Sequence, residues 1–158
     1  MRVFKFGGAS VKDAEGVVNV VKVLTQMGHE DTLVVVSAMG KSTNAFEGVV
    51  EAYFEDPDSY KAALHDIEMF HQEIVEELFN GAHGPVAERV KNLCAQCEIF
   101  LANNRSPHNA FVYDQVVSFG ELLSTSIICA YLNHIGIAAE WVDAVSYTHL
   151  TLPTIVSV

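Results

Sequence analysis

Basic residues are scarce in this sequence. Its 158 residues include 9 lysines and arginines against 20 aspartates and glutamates, which gives a formal net charge of −11. Proteins that hold nucleic acid need clustered positive charge along the phosphate backbone, so this composition argues against a nucleic-acid partner. A bound anion would have to be held by local groups acting against the overall negative field.

Cysteine is also scarce, and long apolar runs are missing. Three cysteines cannot all pair, so we expect reduced thiols and a cytoplasmic location. Cys94 and Cys97 have CxxC spacing, but they lie in a helix-like stretch without a second such pair, which disfavours a metal or redox site. The seven histidines are scattered, none is assigned to metal binding or catalysis, and we expect all of them at the surface or at the edge of the core. No signal peptide is evident, and no apolar run approaches the roughly 20 residues that cross a membrane.

The apolar pattern alternates between strands and helices. Half of the residues are hydrophobic, which predicts a globular domain with a substantial core. Strands are predicted at 2–6, 32–37 and 137–142, and helices after Ser10 and over about 45–54, 59–80, 86–103 and 111–134, with a break near 118–120. This order predicts an α/β protein with a mostly parallel sheet, and three strands make that sheet incomplete.

The stretch VFKFGGASVK carries the first candidate site. Lys5 closes a strand, and the glycines at 7 and 8 let backbone N–H groups approach a ligand closely. Ser10 is predicted to cap the helix that follows, with Asp13 at the capping-box position. A lysine, glycine amides and a helix N-terminus at one spot indicate an anion site. A plain strand-to-helix turn with a surface lysine is the alternative.

Two further segments carry candidate binding groups. SAMGKSTN at 37–44 is similar to the end of a Walker A motif, but Val35 stands where the first glycine belongs, which disfavours a P-loop. It follows the second strand, and the carboxyl ends of strands are where open α/β sheets bind ligands. SFGE at 118–121 puts the Glu121 carboxylate beside a glycine in a helical run, suited to an ammonium group or a lysine. The alternative there is a kink with a solvated glutamate.

Four stretches together resemble the aspartate kinases of the amino acid kinase superfamily. They are KFGGAS at 5–10, VVSAMGKSTN at 35–44, DQVVSFGELLST at 114–125 and EWVDA at 140–144, in the family's order and spacing. The resemblance implies an αβα sandwich with a mostly parallel sheet. It also implies phosphoryl transfer from ATP to the side-chain carboxylate of L-aspartate, giving 4-phospho-L-aspartate, the first step towards lysine, threonine, methionine and isoleucine. Mg²⁺ is expected with ATP, although no carboxylate cluster identifies its ligands, and the full-length parent is expected to be a homo-oligomer.

The resemblance also implies roles for individual residues. Lys5 would contact the transferring phosphoryl group. The residues expected near the phosphates of ATP are Lys5, Gly7, Gly8 and Ser10. The residues expected at L-aspartate are Ser37, Thr43 and Glu121, the last facing its ammonium group. Ala9 departs from the threonine usual in the family, which leaves the backbone amide in place.

The resemblance ends near Ala144, so we expect residues 1–144 to be the N-terminal part of an amino acid kinase domain. Val145 stands where the family usually has arginine, and no charged residue follows Asp143. VSYTHL at 145–150 is what one frame of a transposase end sequence used in library preparation encodes. Our hypothesis is therefore that residues 145–158 are a gene-model or library artefact, and the alternative is a buried native strand and turn.

Two consequences follow for activity. The nucleotide-binding half and the regulatory ACT domains of the family have no counterpart in the sequence, so we expect the chain alone to be inactive. Two other functions stay open: another amino acid kinase, acting on glutamate or acetylglutamate, and a non-catalytic ligand-binding fragment that pairs with another chain.

Overall fold

The computed structural model describes residues 1–56, 59–81 and 84–143. Within these ranges the elements are β1 (Arg2–Phe6), a 3-10 helix (Gly8–Val11), α1 (Ala14–Met27), β2 (Thr32–Val36), α2 (Ser42–Glu55), α3 (Tyr60–Phe79), α4 (Gly84–Asn103), α5 (Asn109–Val117) and α6 (Phe119–His134). The predicted α/β class is confirmed. The predicted boundary at Ala144 and the tail at 145–158 lie outside the described residues.

The two strands form a parallel pair whose faces differ. Their register runs from Arg2 opposite Thr32 to Phe6 opposite Val36, as expected for a strand, helix, strand unit. The inner face consists of partly or fully buried side chains: Phe4, Phe6, Val34 and Val36. The outer face consists of exposed side chains: Val3, Lys5, Leu33 and Val35. The inner face packs on the helical core, while among the described residues no helix covers the outer face of the predicted sandwich.

The prediction of a third strand at 137–142 is wrong, because these residues form no ladder with β1 or β2. The end of α6 binds this segment instead. The side chain of Asn133 donates to the Ala139 carbonyl at 2.8 Å and accepts from the Ala139 N–H at 3.1 Å. The N–H and C=O groups of Ala139, which a neighbouring strand would bond, are therefore already satisfied.

The start of α1 differs from the predicted cap at Ser10. The Ser10 N–H donates to the Gly7 carbonyl at 2.9 Å, within the 3-10 helix. Asp13 is the N-cap, and its side chain accepts from the Gly16 N–H at 2.8 Å. Aspartate is a strong N-cap and here its carboxylate reaches the third helical N–H, so the helix begins at Ala14.

The block of helices follows the predicted order with shifted ends. Helix α2 begins at Ser42, three residues before the predicted start, and the predicted break near 118–120 is the junction of α5 and α6 at Ser118. Contrary to the expectation from apolar runs, residues 109–134 together are long and apolar enough to cross a membrane by length and composition alone. Within this stretch, Leu123 and Ile127 of α6 are fully buried in the hydrophobic core.

Candidate functional site

The two glycine-containing loops interlock at the carboxyl end of the sheet. The Ser37 N–H donates to the Phe6 carbonyl at 3.0 Å, and the Gly40 N–H donates to the Gly8 carbonyl at 3.1 Å. A Cβ atom at position 8 would lie 2.7 Å from the Ala38 carbonyl oxygen, a distance that side chains do not adopt. Glycine at this position therefore allows the second loop to close over the first. The prediction that both loops meet at this edge is confirmed.

Helix α6 brings the third motif to the same place. A Cβ atom at position 120 would lie 2.9 Å from the Ala38 side chain, so the helix start packs directly on the second loop. The Ser124 hydroxyl donates to the Ser37 carbonyl at 2.9 Å. These contacts place Glu121, which is half-buried in the first turn of α6, beside the loop that carries Ser37.

Lys5 and Glu121 carry the site's two candidate charges, and they are held differently. Lys5 is exposed on the outer face of β1, opposite Val35. Glu121 is half-buried in the first turn of α6, which packs on the second loop. Among the described residues, neither the Lys5 ammonium group nor the Glu121 carboxylate has a hydrogen-bond or ion-pair partner in this structure. Both charged groups are thus available to a ligand, but the described residues do not bring them into contact with each other.

The positive end of a helix at this site comes from α2 and not from α1. Because α1 begins at Ala14 with its first turn capped by Asp13, it does not open at the paired glycines as predicted. Within the part of the chain that the structure describes, no side chain caps the first turn of α2, which contains Thr43. Uncapped N–H groups at a helix start favour anions. Ser10, predicted near the phosphates, is exposed in the 3-10 helix.

Trp141 supports the turn that carries Glu121, a role that sequence reasoning missed. Its indole N–H donates to the Thr125 hydroxyl at 2.9 Å, and that hydroxyl donates to the Glu121 carbonyl at 2.7 Å. The Arg89 guanidinium lies 5.5 Å from the centre of the indole ring. The sequence could have singled out Trp141, because it is the single tryptophan of the chain and lies within EWVDA.

A buried polar pair under the second loop was also missed. Ser42 and His71 are 3% and 0% exposed, and the Ser42 hydroxyl lies 3.4 Å from His71 Nε2. His71 was predicted at the surface or at the edge of the core. The signal was its spacing, since His71 falls on the apolar face of α3 between Ile67 and Ile74.

The buried cysteine pair does not form a candidate site. Cys94 and Cys97 are buried in α4, and burial raises the pKa of each thiol to about 12. Thiols in this state are protonated at neutral pH and are poor nucleophiles and metal ligands. Across residues 1–56, 59–81 and 84–143, no three His, Cys, Asp or Glu side chains form a group that could hold a metal ion.

Comparison with known proteins identifies the class. The sequence model of the amino acid kinase family matches residues 1–154, and the chain therefore belongs to that family. Aspartokinase 3, chloroplastic, from Arabidopsis thaliana is 34% identical over 151 residues, which cover 90% of this chain and 25% of that protein. The predicted resemblance to aspartate kinases is confirmed. The match to the family model extends past Ala144, and the predicted boundary there stays a prediction.

Two solved structures share the fold. The crystal structure of E. coli aspartokinase III in complex with lysine and aspartate (T-state) has a TM-score of 0.76 and 27% identity, covering 90% of this chain and 31% of that one. The same enzyme in complex with aspartate and ADP (R-state) has a TM-score of 0.78 and 25% identity, with the same coverage. The chain spans about a quarter of the length of the curated aspartokinases that it matches.

Proposed function

We propose that this chain forms the L-aspartate side of an aspartate kinase site. The observation that supports the proposal most is the interlocking of three segments at the carboxyl end of the sheet, through Gly8, Gly40 and Gly120. That arrangement brings together, at one edge, a helix start without a side-chain cap among the described residues and the half-buried Glu121 carboxylate. L-Aspartate carries two carboxylates and one ammonium group, which these two features complement. A solved relative, E. coli aspartokinase III, binds aspartate and ADP.

Each predicted ligand residue receives one chemical task in this proposal. Ser37 and Thr43 bind the carboxylates of L-aspartate, aided by the N–H groups at the start of α2. Glu121, half-buried in the first turn of α6, binds the ammonium group. The charge of this glutamate then selects an amino acid over a simple dicarboxylic acid.

We assign the phosphate groups of ATP to the side of the site that carries Lys5. Lys5 contacts the transferring phosphoryl group, with Gly7, Gly8 and Ser10 near the phosphates of ATP. A side-chain carboxylate oxygen of L-aspartate attacks the γ-phosphorus, the bond from that phosphorus to the bridging oxygen breaks, and ADP leaves. A fixed cation near these oxygens stabilises the charge that develops there. The described residues do not fit a resident Mg²⁺, so in this proposal the metal arrives with the nucleotide.

We expect full activity only in a protein of the aspartokinases' full length. The 158-residue chain spans about a quarter of the curated aspartokinases that it matches, and the resemblance assigns most of the nucleotide site to the remainder, so we expect the chain to bind L-aspartate without phosphorylating it. Hydroxylamine converts an acyl phosphate to a hydroxamate, so 4-phospho-L-aspartate can be measured directly. The assay compares L-aspartate with L-glutamate and N-acetyl-L-glutamate, using the chain and its full-length parent.

The sharpest variant for this assay is Lys5→Ala in the parent. Loss of a charge-stabilising donor is expected to lower kcat by about 10²–10³-fold. Lys22→Ala is the matched control, since Lys22 is an exposed lysine of α1 whose ammonium group donates to the Asn19 side chain. Equal rates for the two variants, or a preference for another amino acid, would contradict the proposal.

A further inference from the structure

Ser42 and His71 form a buried polar pair between α2 and α3. Both ring nitrogens of His71 have partners: Nδ1 lies 2.8 Å from the Ile67 carbonyl oxygen, and Nε2 lies 3.4 Å from the Ser42 hydroxyl. The ring is fully buried, so water cannot replace either contact. A buried polar group without a partner costs free energy, so losing one member of the pair leaves the other unsatisfied.

The contact with Ile67 fixes the tautomer of the ring. A carbonyl oxygen only accepts, so Nδ1 must carry a hydrogen and donate it. In the neutral ring Nε2 is then an acceptor, and the Ser42 hydroxyl donates to it. Burial lowers the pKa of His71, opposed by the bond to Ile67, so the neutral ring is the form present at neutral pH.

Ser42 joins this buried pair to the candidate site. It is the first residue of α2, its N–H donates to the Met39 carbonyl at 2.9 Å, and Thr43 follows it directly. Because no side chain caps this helix start, the contact with His71 is the side-chain hydrogen bond that fixes Ser42 there. Any movement of Ser42 would therefore move both Thr43 and the N–H groups that we assign to L-aspartate.

We propose that His71 is a positioning residue, which acts through Ser42 to hold the first turn of α2 in the orientation that binds L-aspartate. This inference rests on the proposed function. We expect neither side chain to touch substrate, because Ser42 and His71 are 3% and 0% exposed. In this proposal His71 only orients the helix start. The expected experimental sign is a change in the affinity for L-aspartate that requires both Ser42 and His71.

Three variants of the 158-residue chain test this role. Ser42→Ala removes the donor, His71→Leu removes the acceptor, and the double variant removes both. Ser126→Ala is the matched control, because among the described residues the buried Ser126 hydroxyl has no hydrogen-bond partner. Urea unfolding of each variant shows whether it is folded before binding is measured.

The readout is the dissociation constant for L-aspartate, followed by NMR shifts of the backbone amides. Ser42→Ala is expected to weaken binding by about threefold to tenfold, the effect of one hydrogen bond. His71→Leu in the Ser42→Ala background is expected to add no further loss, since coupled residues are not additive. Ser126→Ala is expected to bind as the unmodified chain does.

A second measurement does not depend on any variant folding. Long-range proton–nitrogen NMR spectra report which ring nitrogen carries the hydrogen, and we expect Nδ1 of His71 to carry it. A hydrogen on Nε2 would overturn the inference, as would unchanged affinity in Ser42→Ala. Either result leaves the proposed function intact if the unmodified chain binds L-aspartate, whereas absence of that binding contradicts the proposed function itself.

Discussion

The two faces of the sheet differ in how far their side chains are buried. On the inner face Val36 is 7% exposed, and on the outer face its neighbour Val35 is 42% exposed. The residues assigned to L-aspartate lie in segments that pack through the inner side, while Lys5 stands on the outer face without a partner among the described residues. Under the proposed assignment, the described part of the chain preorganises the amino acid side of the site and leaves the phosphate side open.

The largest expected effect concerns the interlocked loops. Gly8→Ala puts a Cβ atom 2.7 Å from the Ala38 carbonyl oxygen, a backbone atom that cannot rotate away. We expect this overpacking to lower the free energy of unfolding by about 1–3 kcal/mol. Gly48→Ala is the control, because a Cβ atom there meets nothing within 4 Å. In the middle of α2 it is expected to raise the free energy of unfolding by roughly 0.5–1 kcal/mol.

Urea unfolding measures both glycine variants. A Gly8→Ala chain as stable as the unmodified protein would show that the two loops do not interlock as described. The segments packed on the inner side of the sheet would then be no better ordered than its outer face.

The next effect compares the two faces directly. Val36→Ala removes buried carbons from the inner face, and we expect a loss of about 1–2 kcal/mol in the free energy of unfolding. Val35→Ala removes the same atoms from the exposed outer face, and we expect a change within about 0.5 kcal/mol. Equal losses in urea unfolding would mean that the outer face is covered in solution, for instance by a second copy of the chain. Light scattering of the same samples would show whether a second copy of the chain is bound there.

The smallest effect is the response of the buried histidine to pH. Burial lowers the pKa of His71 below its ordinary value of 6.5, so the folded state binds fewer protons than the unfolded state as the pH falls below that value. The contribution of His71 to the free energy of unfolding is therefore fully present above pH 6.5 and is lost as the pH falls below that value. Carboxylates contribute to acid unfolding too, so the measurement is the difference between the unmodified chain and His71→Leu. An identical dependence of the urea midpoint on pH in both would contradict the burial of a neutral ring.

Much of this fold could be predicted from residue patterns. The strand, helix, strand unit and the break before Gly120 follow from apolar spacing and glycine placement, which are local signals. The start of α1 could not, because Ser10 and Asp13 are both good caps and only the 3-10 turn decides between them. The segment at 137–142 has a strand-like sequence, but the side chain of Asn133 occupies the backbone groups of Ala139.

The candidate site was predictable to a similar extent. The strand-end rule brought the loops after β1 and β2 together, since it depends only on parallel strands. The sequence could not place the exposed Lys5 relative to Glu121, because that relation depends on how the start of α6 packs on the second loop. The His71 and Ser42 pair needs a contact between two helices, 29 positions apart, that no local pattern carries.

Titration of the 158-residue chain with L-aspartate, followed by backbone amide NMR shifts, is the sharpest test of a preorganised L-aspartate side. We expect saturable shifts at Gly40, Thr43 and Glu121, with little change on the outer face at Val3 and Leu33. Shifts confined to the outer face, or no shifts while the chain is folded, would contradict a preorganised L-aspartate side.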